Sequence, residues 1–67
     1  MDQCTIYIGS MTLALRGRDI LLANSLPAEV IRIHRKSGCG YGLRMDCSLL
    51  ESARKFLRTA GIGHDLL

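Results

Sequence analysis

The chain turns at Ser37-Gly38-Cys39-Gly40-Tyr41-Gly42, a glycine-rich stretch between two segments of strand-like composition. Glycine adopts backbone angles that other residues avoid, so its repetition at alternate positions favours a tight connection here. We expect a loop with Cys39 at its centre and with Arg35 and Lys36 directly before it. Small neighbours on both sides would leave the Cys39 thiol exposed and approachable.

Alternating apolar residues on both sides of this loop predict two strands, at residues 28–34 and 41–45. The first strand would point Ile31 and Ile33 toward the core and His34 toward solvent. The second would place one apolar set on a single face: Tyr41, Leu43 and Met45. A short connection makes the two strands antiparallel neighbours.

The first third of the chain predicts a strand at residues 4–8 followed by a helix. Ser10 is a favourable N-cap for a helix that runs over about residues 11–24. On this helix, Leu13 and Ile20 add apolar surface. That surface either docks a partner or belongs to the core, and both interpretations stay open.

The last third predicts an amphipathic helix that begins with a capping box, Ser48-x-x-Glu51. Its buried stripe would comprise Leu49, Ala53, Phe56, Leu57 and Ala60. Gly61 stands where helices commonly end in a glycine. Residues 63–67 would then form a short tail, frayed unless a partner holds it.

These elements predict one α+β domain over residues 1–67, with its core at about residues 4–62. The order β-α-β-β-α is a truncated ferredoxin-like pattern. A right-handed crossover makes strands one and two parallel, so the expected sheet is three-stranded in the order 1-3-2, with two helices on one face. Strand one would be an edge that is able to pair with another chain.

The composition favours self-association. The chain has 67 residues, which is small for a core, yet 48% of them are hydrophobic and the mean hydropathy is +0.17. We therefore expect a homo-oligomer. The net charge is +3, but no basic run is longer than Arg35-Lys36 and no RNP-like aromatic string is present. We accordingly expect no nucleic-acid partner.

The cysteine pattern and the opening residues predict a cytoplasmic protein. Met1-Asp2-Gln3 is polar, and no window approaches the ~20 apolar residues of a membrane span, so we expect no membrane partner. The three cysteines are an odd number without a C-x-x-C pair, which favours free thiols. No ligand pair has zinc-type spacing, so we expect no metal, and no motif indicates a cofactor.

The predicted topology locates the Cys39 loop. Strand one ends where the first helix begins, and strand two ends at the same side of the sheet, so Cys39 should lie beside the start of that helix. The hydroxyls of Ser10 and Thr12 and the positive end of the helix dipole would favour a thiolate there. Arg35 and Lys36 would act in the same direction. The alternative, a cysteine that merely fills a small position in the hairpin, is equally open.

The other cysteines and His34 are weaker candidates for a functional role. His34 could accept a proton from Cys39, but an ordinary surface histidine is the favoured interpretation. Cys4 falls on the inward face of strand one, as a small core residue. Cys47 lies at the other end of strand three, roughly 20 Å or more from Cys39, so neither a disulfide nor a metal site shared by these two residues is expected.

Four runs in the chain resemble the selenium/sulfur carrier protein-like family of small bacterial domains. They are Ser10-Met11-Thr12-Leu13-Ala14-Leu15-Arg16, Leu21-Leu22, Leu26-Pro27-Ala28-Glu29-Val30 and Gly38-Cys39-Gly40-Tyr41-Gly42-Leu43. The resemblance covers about residues 4–62. Its most specific part is the Gly-Cys-small-x-Gly segment that leads into a strand.

The resemblance implies a carrier that holds sulfur or selenium on Cys39 as a persulfide or selenosulfide, with donor and acceptor proteins as partners. Gly38 and Gly40 would keep the thiol accessible. Such a carrier needs no catalytic machinery, so we expect no enzyme. The alternative is a non-catalytic interaction or dimerisation module that uses the edge of strand one or the Leu13–Ile20 surface. A redox-sensing thiol at Cys39 is a third option.

Overall fold

The chain folds as two helices on an open four-stranded antiparallel sheet. The computed structural model describes residues 2–67. The elements are β1 (Gln3–Gly9), α1 (Met11–Ala23), β2 (Glu29–Arg35), β3 (Gly38–Asp46), α2 (Leu50–Thr59) and β4 (Asp65–Leu66). The sheet order is β2-β3-β1-β4, so the predicted α+β class is confirmed. Neither helix in this part of the chain is long and apolar enough to cross a membrane.

The prediction of a three-stranded sheet is wrong, because the end of the chain adds a fourth strand. β4 pairs with Ile6 and Tyr7 of β1, and the Leu67 amide donates a hydrogen bond to the Thr5 carbonyl at 3.3 Å. Residues 63–67 are therefore not a frayed tail, and β1 is not an edge strand. A two-residue strand has too few positions to show an alternating pattern in the sequence.

The helix α1 begins where the sequence predicts. Ser10 has an extended backbone, and its side-chain oxygen accepts a hydrogen bond from the Leu13 amide at 3.2 Å. The buried residues of the helix are Ala14, Gly17 and Leu21. Ile20 packs against the core, whereas Leu13 is 39% exposed, so the two residues do not form one exposed docking surface.

The start of α2 differs from the predicted capping box. A 3-10 turn, Cys47–Leu49, precedes the helix, and Asp46 caps that turn. The Asp46 carboxylate accepts hydrogen bonds from the Ser48 amide, at 3.0 Å, and from the Ser48 hydroxyl. Ser48 therefore donates to a cap instead of being one. The two-residue spacing of aspartate and serine favours this local turn.

One hydrophobic core lies between the sheet and both helices. Its buried members are Ile6, Leu21, Leu43, Met45, Ala53, Leu57 and Ile62. Gly61 ends α2 as predicted, with a φ of +75°, and the Ile62 amide donates to the Leu57 carbonyl at 2.9 Å, which turns Ile62 back under the helix. Phe56, placed in the buried stripe by the sequence, is 36% exposed.

The two faces of β2 are opposite to the prediction. Val30 pairs with Leu43 and packs against the core, so the alternation of the strand turns Ile31 and Ile33 to the open face of the sheet. His34 follows Val30 on the helix-covered side, yet it is exposed. The helices do not cover this corner of the sheet, which is why a polar residue occupies an inward position there.

Cys4 and Cys47 form a disulfide, so the prediction of three free thiols is wrong. Their Cα atoms are 4.9 Å apart. The Cys47 amide donates to the Asp2 carbonyl at 3.0 Å, which holds the chain beside β1 just after β3 has ended. The bridge joins positions separated by 43 residues and therefore restricts the unfolded chain strongly.

Candidate functional site at Cys39

Cys39 lies in a strand rather than in the predicted loop. Arg35 pairs with Gly38, so the turn between β2 and β3 consists of Lys36 and Ser37. Gly38 has a φ of +131°, a conformation that favours glycine, and it is the first residue of β3. Cys39 is therefore held by a strand ladder, and its side chain is exposed.

His34 is the cross-strand partner of Cys39. Directly opposed residues of an antiparallel pair project to the same face of the sheet. The His34 Nδ1 atom lies 3.1 Å from the Cys39 Sγ atom, and both side chains are exposed. The histidine that the sequence favours as an ordinary surface residue thus contacts the thiol.

One proton shared between these two atoms defines two chemical states. In the first, the Cys39 thiol donates its proton to an unprotonated Nδ1 of His34; in the second, Nδ1–H donates to a thiolate. The second state carries an imidazolium next to the anionic sulfur. A cysteine with a base at hydrogen-bonding distance has the arrangement that activates thiol nucleophiles.

Gly40 lies next to Cys39 on β3 but faces the opposite, open side of the sheet, where the ring of Tyr7 packs over it. A Cβ atom added at Gly40 would lie 2.7 Å from two ring carbons of Tyr7, which covers the glycine. The glycine therefore makes room for the ring. Because neighbours along a strand face opposite sides, a side chain at position 40 would not shield the Cys39 thiol.

Arg35 is also committed to the open face. Its guanidinium carbon lies 4.4 Å from the centre of the Tyr7 ring, a cation–π contact. Since Arg35 follows His34 directly, the alternation of β2 sends the two side chains to opposite faces. The guanidinium therefore stacks on Tyr7 on the face opposite the Cys39 thiol, and Lys36 occupies the exposed turn.

The start of α1 lies at the same end of the sheet as Cys39. After a register shift in β1, Gly9 pairs with Tyr41, two residues from Cys39 along β3. Ser10 uses its side-chain oxygen to cap the helix, and Thr12 is exposed in the first turn. Within residues 2–67, the polar atom in hydrogen-bonding contact with the sulfur is His34 Nδ1.

The other end of β3 has a different character. Asp46 ends the strand there, and its hydrogen bonds from the Ser48 hydroxyl and then the Ser48 amide hold the pKa of this carboxyl below its usual value. An open cavity of about 350 Å³ lies at this end. It is lined by Gln3, Pro27, Ala28, Glu29, Arg44, Met45, Asp46 and Leu49. The cavity and the free thiol are thus separated by most of the length of β3.

No group of three or more His, Cys, Asp or Glu side chains in residues 2–67 is arranged to hold a metal ion. No family model matches the chain, and neither curated proteins nor solved structures give a match.

Proposed function

We propose that this protein is a carrier that holds sulfur or selenium on Cys39 as a persulfide or selenosulfide. The observation that supports this most is the 3.1 Å contact between His34 Nδ1 and the exposed Cys39 sulfur. A carrier needs a nucleophilic thiol that two partner proteins can reach in turn. The proposal includes no catalytic turnover and no bound cofactor.

Loading needs no external oxidant when the donor is itself a protein persulfide. The Cys39 thiol passes its proton to Nδ1 of His34, and the thiolate attacks the outer sulfur of the donor. A new S–S bond forms on Cys39 while the S–S bond of the donor breaks. The donor cysteine leaves as a thiolate and recovers a proton from His34. Selenium held on a donor cysteine would move by the same exchange.

We also propose that the fold is ferredoxin-like, with β4 as the fourth strand that the truncated pattern lacked. The element order β-α-β-β-α-β and the sheet order β2-β3-β1-β4 support this assignment. Both helices contribute to one core against the sheet, through Leu21 of α1 and Leu57 of α2.

The proposal places the carrier in the cytoplasm, and the Cys4–Cys47 bridge makes that location testable. Reducing compartments keep most thiols reduced, so a cytoplasmic chain is expected to contain Cys4 and Cys47 as thiols for much of the time. Rapid alkylation in growing cells, followed by intact mass, measures this. Alkyl groups on both residues support the cytoplasm, whereas a fully intact bridge contradicts it.

Loading is tested by incubating the protein with a cysteine desulfurase and cysteine, and then with selenocysteine in its place. We expect the intact mass to rise by one sulfur or one selenium atom in the wild type and in Cys4→Ser/Cys47→Ser. The rise should be absent in Cys39→Ser and slower in His34→Gln. A matched control is His64→Gln, which should load like the wild type.

Two results would contradict the carrier. One is the absence of an adduct on the wild type; the other is an adduct that persists in Cys39→Ser. Either result would leave the alternative, a non-catalytic interaction or dimerisation module. That alternative has support of its own, because the outer edge of β2 has no strand partner within residues 2–67.

A further inference from the structure

The two edges of the sheet are unequal. At one edge, β4 is two residues long and shields only part of β1. At the other edge, β2 runs for seven residues, and its ladder with β3 keeps one register from Glu29 to Arg35. An edge strand offers a row of unpaired N–H and C=O groups to another strand. β2 is therefore the part of this sheet best suited to extend it.

The charges of β2 are complementary to those of a second, antiparallel β2. When the pairing is centred on Arg32, Glu29 lies opposite Arg35 of the second copy. Ile31 then lies opposite Ile33 of that copy. All four of these positions face the open side of the sheet, since they pair with Arg44, Gly42, Gly40 and Gly38 of β3. Opposite charges directly across a strand pair are favourable.

In such a dimer, the Glu29 carboxylate of each copy would lie between two guanidinium groups. Glu29 already forms an ion pair with Arg44 of its own chain, on the same face of the sheet. In the dimer, Arg35 of the second copy would turn from the Tyr7 ring of its own chain to the other side of the carboxylate, and the two-fold axis would repeat the contact. The half-buried Ile31 and Ile33 would lose further exposure at the centre.

One contact opposes this register. Arg32 would face Arg32 of the second copy at the two-fold axis, on the helix-covered side, where the side chain is exposed. This single repulsion is outweighed by the two Glu29–Arg35 contacts, which have the same exposed character, together with the full strand ladder. A register centred on Ile31 avoids this contact, but it would place Glu29 opposite Ile33 and lose the charge pairing.

We propose that two copies of this chain associate through antiparallel pairing of β2, centred on Arg32, so that their two sheets become continuous. The composition agrees, because a 67-residue chain with a mean hydropathy of +0.17 has apolar surface to cover. His34 would lie opposite Val30 of the second copy. The dimer therefore places its partner beside the Cys39–His34 pair, although its formation does not depend on sulfur loading.

Two charge reversals test the register, with mass in solution measured by sedimentation equilibrium. Arg35→Glu places acidic residues opposite each other, and Glu29→Arg places basic residues opposite each other. We expect each variant alone to dimerise at least about tenfold more weakly than the wild type, a loss of ~1.4 kcal/mol or more across two contacts. An equal mixture of the two variants should form a heterodimer, since opposite charges then meet at both ends.

Matched controls separate this interface from other effects. Arg16→Glu makes the same charge reversal on α1 and should dimerise like the wild type, as should Cys39→Ser. Circular dichroism and thermal unfolding check that every variant is folded. A wild type that stays monomeric at millimolar concentration would overturn the proposal. A dimer insensitive to both reversals would overturn it as well, because the contact would then lie elsewhere.

Discussion

The two ends of β3 hold the same residue type in opposite chemical states. Near its start, Cys39 is exposed, free and 3.1 Å from the His34 Nδ1 atom. Just beyond its end, Cys47 is bonded to Cys4. Between them lies the full length of a strand, so the two sulfur sites cannot exchange within one folded chain.

The comparison shows that neighbours on adjacent strands decide what a cysteine does. β3 passes between β2 and β1, which both pair with its middle; only β2 reaches the end that holds Cys39, and only β1 reaches Asp46, next to Cys47. On the β2 side, the partner of Cys39 is a histidine, which can take a proton. On the β1 side, the partner within reach of Cys47 is a second cysteine, which can close a covalent bond. One end is equipped for reaction, and the other, when its two cysteines are oxidised, for stability.

The largest expected effect follows from removing the bridge. The double variant Cys4→Ser/Cys47→Ser removes a bridge between positions 43 residues apart and so gives the unfolded chain more conformational entropy. The free energy of unfolding should therefore fall by about 4 kcal/mol. Urea unfolding followed by circular dichroism measures this. Cys39→Ser is the control and should change stability far less; an equal loss in the control would contradict the division between the two ends.

The second effect concerns the support behind Cys39. Gly40→Ala introduces a Cβ atom that would lie 2.7 Å from two Tyr7 ring carbons, so the ring that stacks on Arg35 must shift. We expect a loss of ~1–3 kcal/mol in unfolding experiments, as for an overpacked core position. Gly63→Ala is the matched control, because nothing lies within 4 Å of its added Cβ atom. Equal stability of the two variants would show that the ring is not held there.

The third effect is kinetic. His34→Gln removes the base next to Cys39, and the rate of alkylation by iodoacetamide near neutral pH should fall at least about tenfold, since a hydrogen bond to a charged group contributes ~1.5–3 kcal/mol. The unfolding free energy should hardly change, since both side chains are exposed. His64→Gln tests the other histidine and should react at the wild-type rate. A His34→Gln variant that reacts as fast as wild type would remove the chemical distinction between the two cysteine sites.

The smallest effect belongs to the disulfide end. The pKa of Asp46 is lowered in the folded chain from its ordinary value of 3.8, mainly by the Ser48 hydroxyl. Its carboxylate therefore stabilises the fold above that value, and the contribution is lost as the pH falls through the lower, folded pKa. Asp46→Asn should flatten the acid limb of stability against pH. Asp2→Asn, at an exposed position nearby, is the control and should leave the pH dependence of the unfolding free energy unchanged. If Asp46→Asn and the wild type show the same pH dependence, the Asp46 cap does not stabilise the fold.

Local patterns were the predictable part of this fold. Ser10 starts α1 and Gly61 ends α2 as expected, because a cap depends on residues a few positions away. The face of β2 was mistaken because Ile31 and Ile33 are more apolar than their neighbours. Their side is decided by the register with β3 and by the helices, which leave the corner at His34 uncovered.

The partners of Cys39 and Cys47 depend on how β2 and β1 are aligned with β3. The sequence pattern gives such an alignment only when the length of the connecting turn is known. The two-residue turn at Lys36 and Ser37 makes His34 face Cys39. The longer loop that the glycines predict contains Cys39 itself and therefore gives it no cross-strand partner. Pairing Ile6 with Leu43 places Cys4 opposite Met45, two residues before Cys47. A correct β1–β3 alignment therefore predicts the Cys4–Cys47 bridge. The odd number of cysteines, taken alone, favours free thiols instead.

The contact between Tyr7 and Arg35 has a mechanical consequence. The ring begins on β1, crosses over Gly40 of β3 and meets Arg35 at the end of β2, so one side chain spans three strands. The hairpin that holds Cys39 is braced from behind, while its front stays uncovered. If Cys39 carries sulfur as proposed, its donor and its acceptor would therefore meet a thiol whose strand is held in one position.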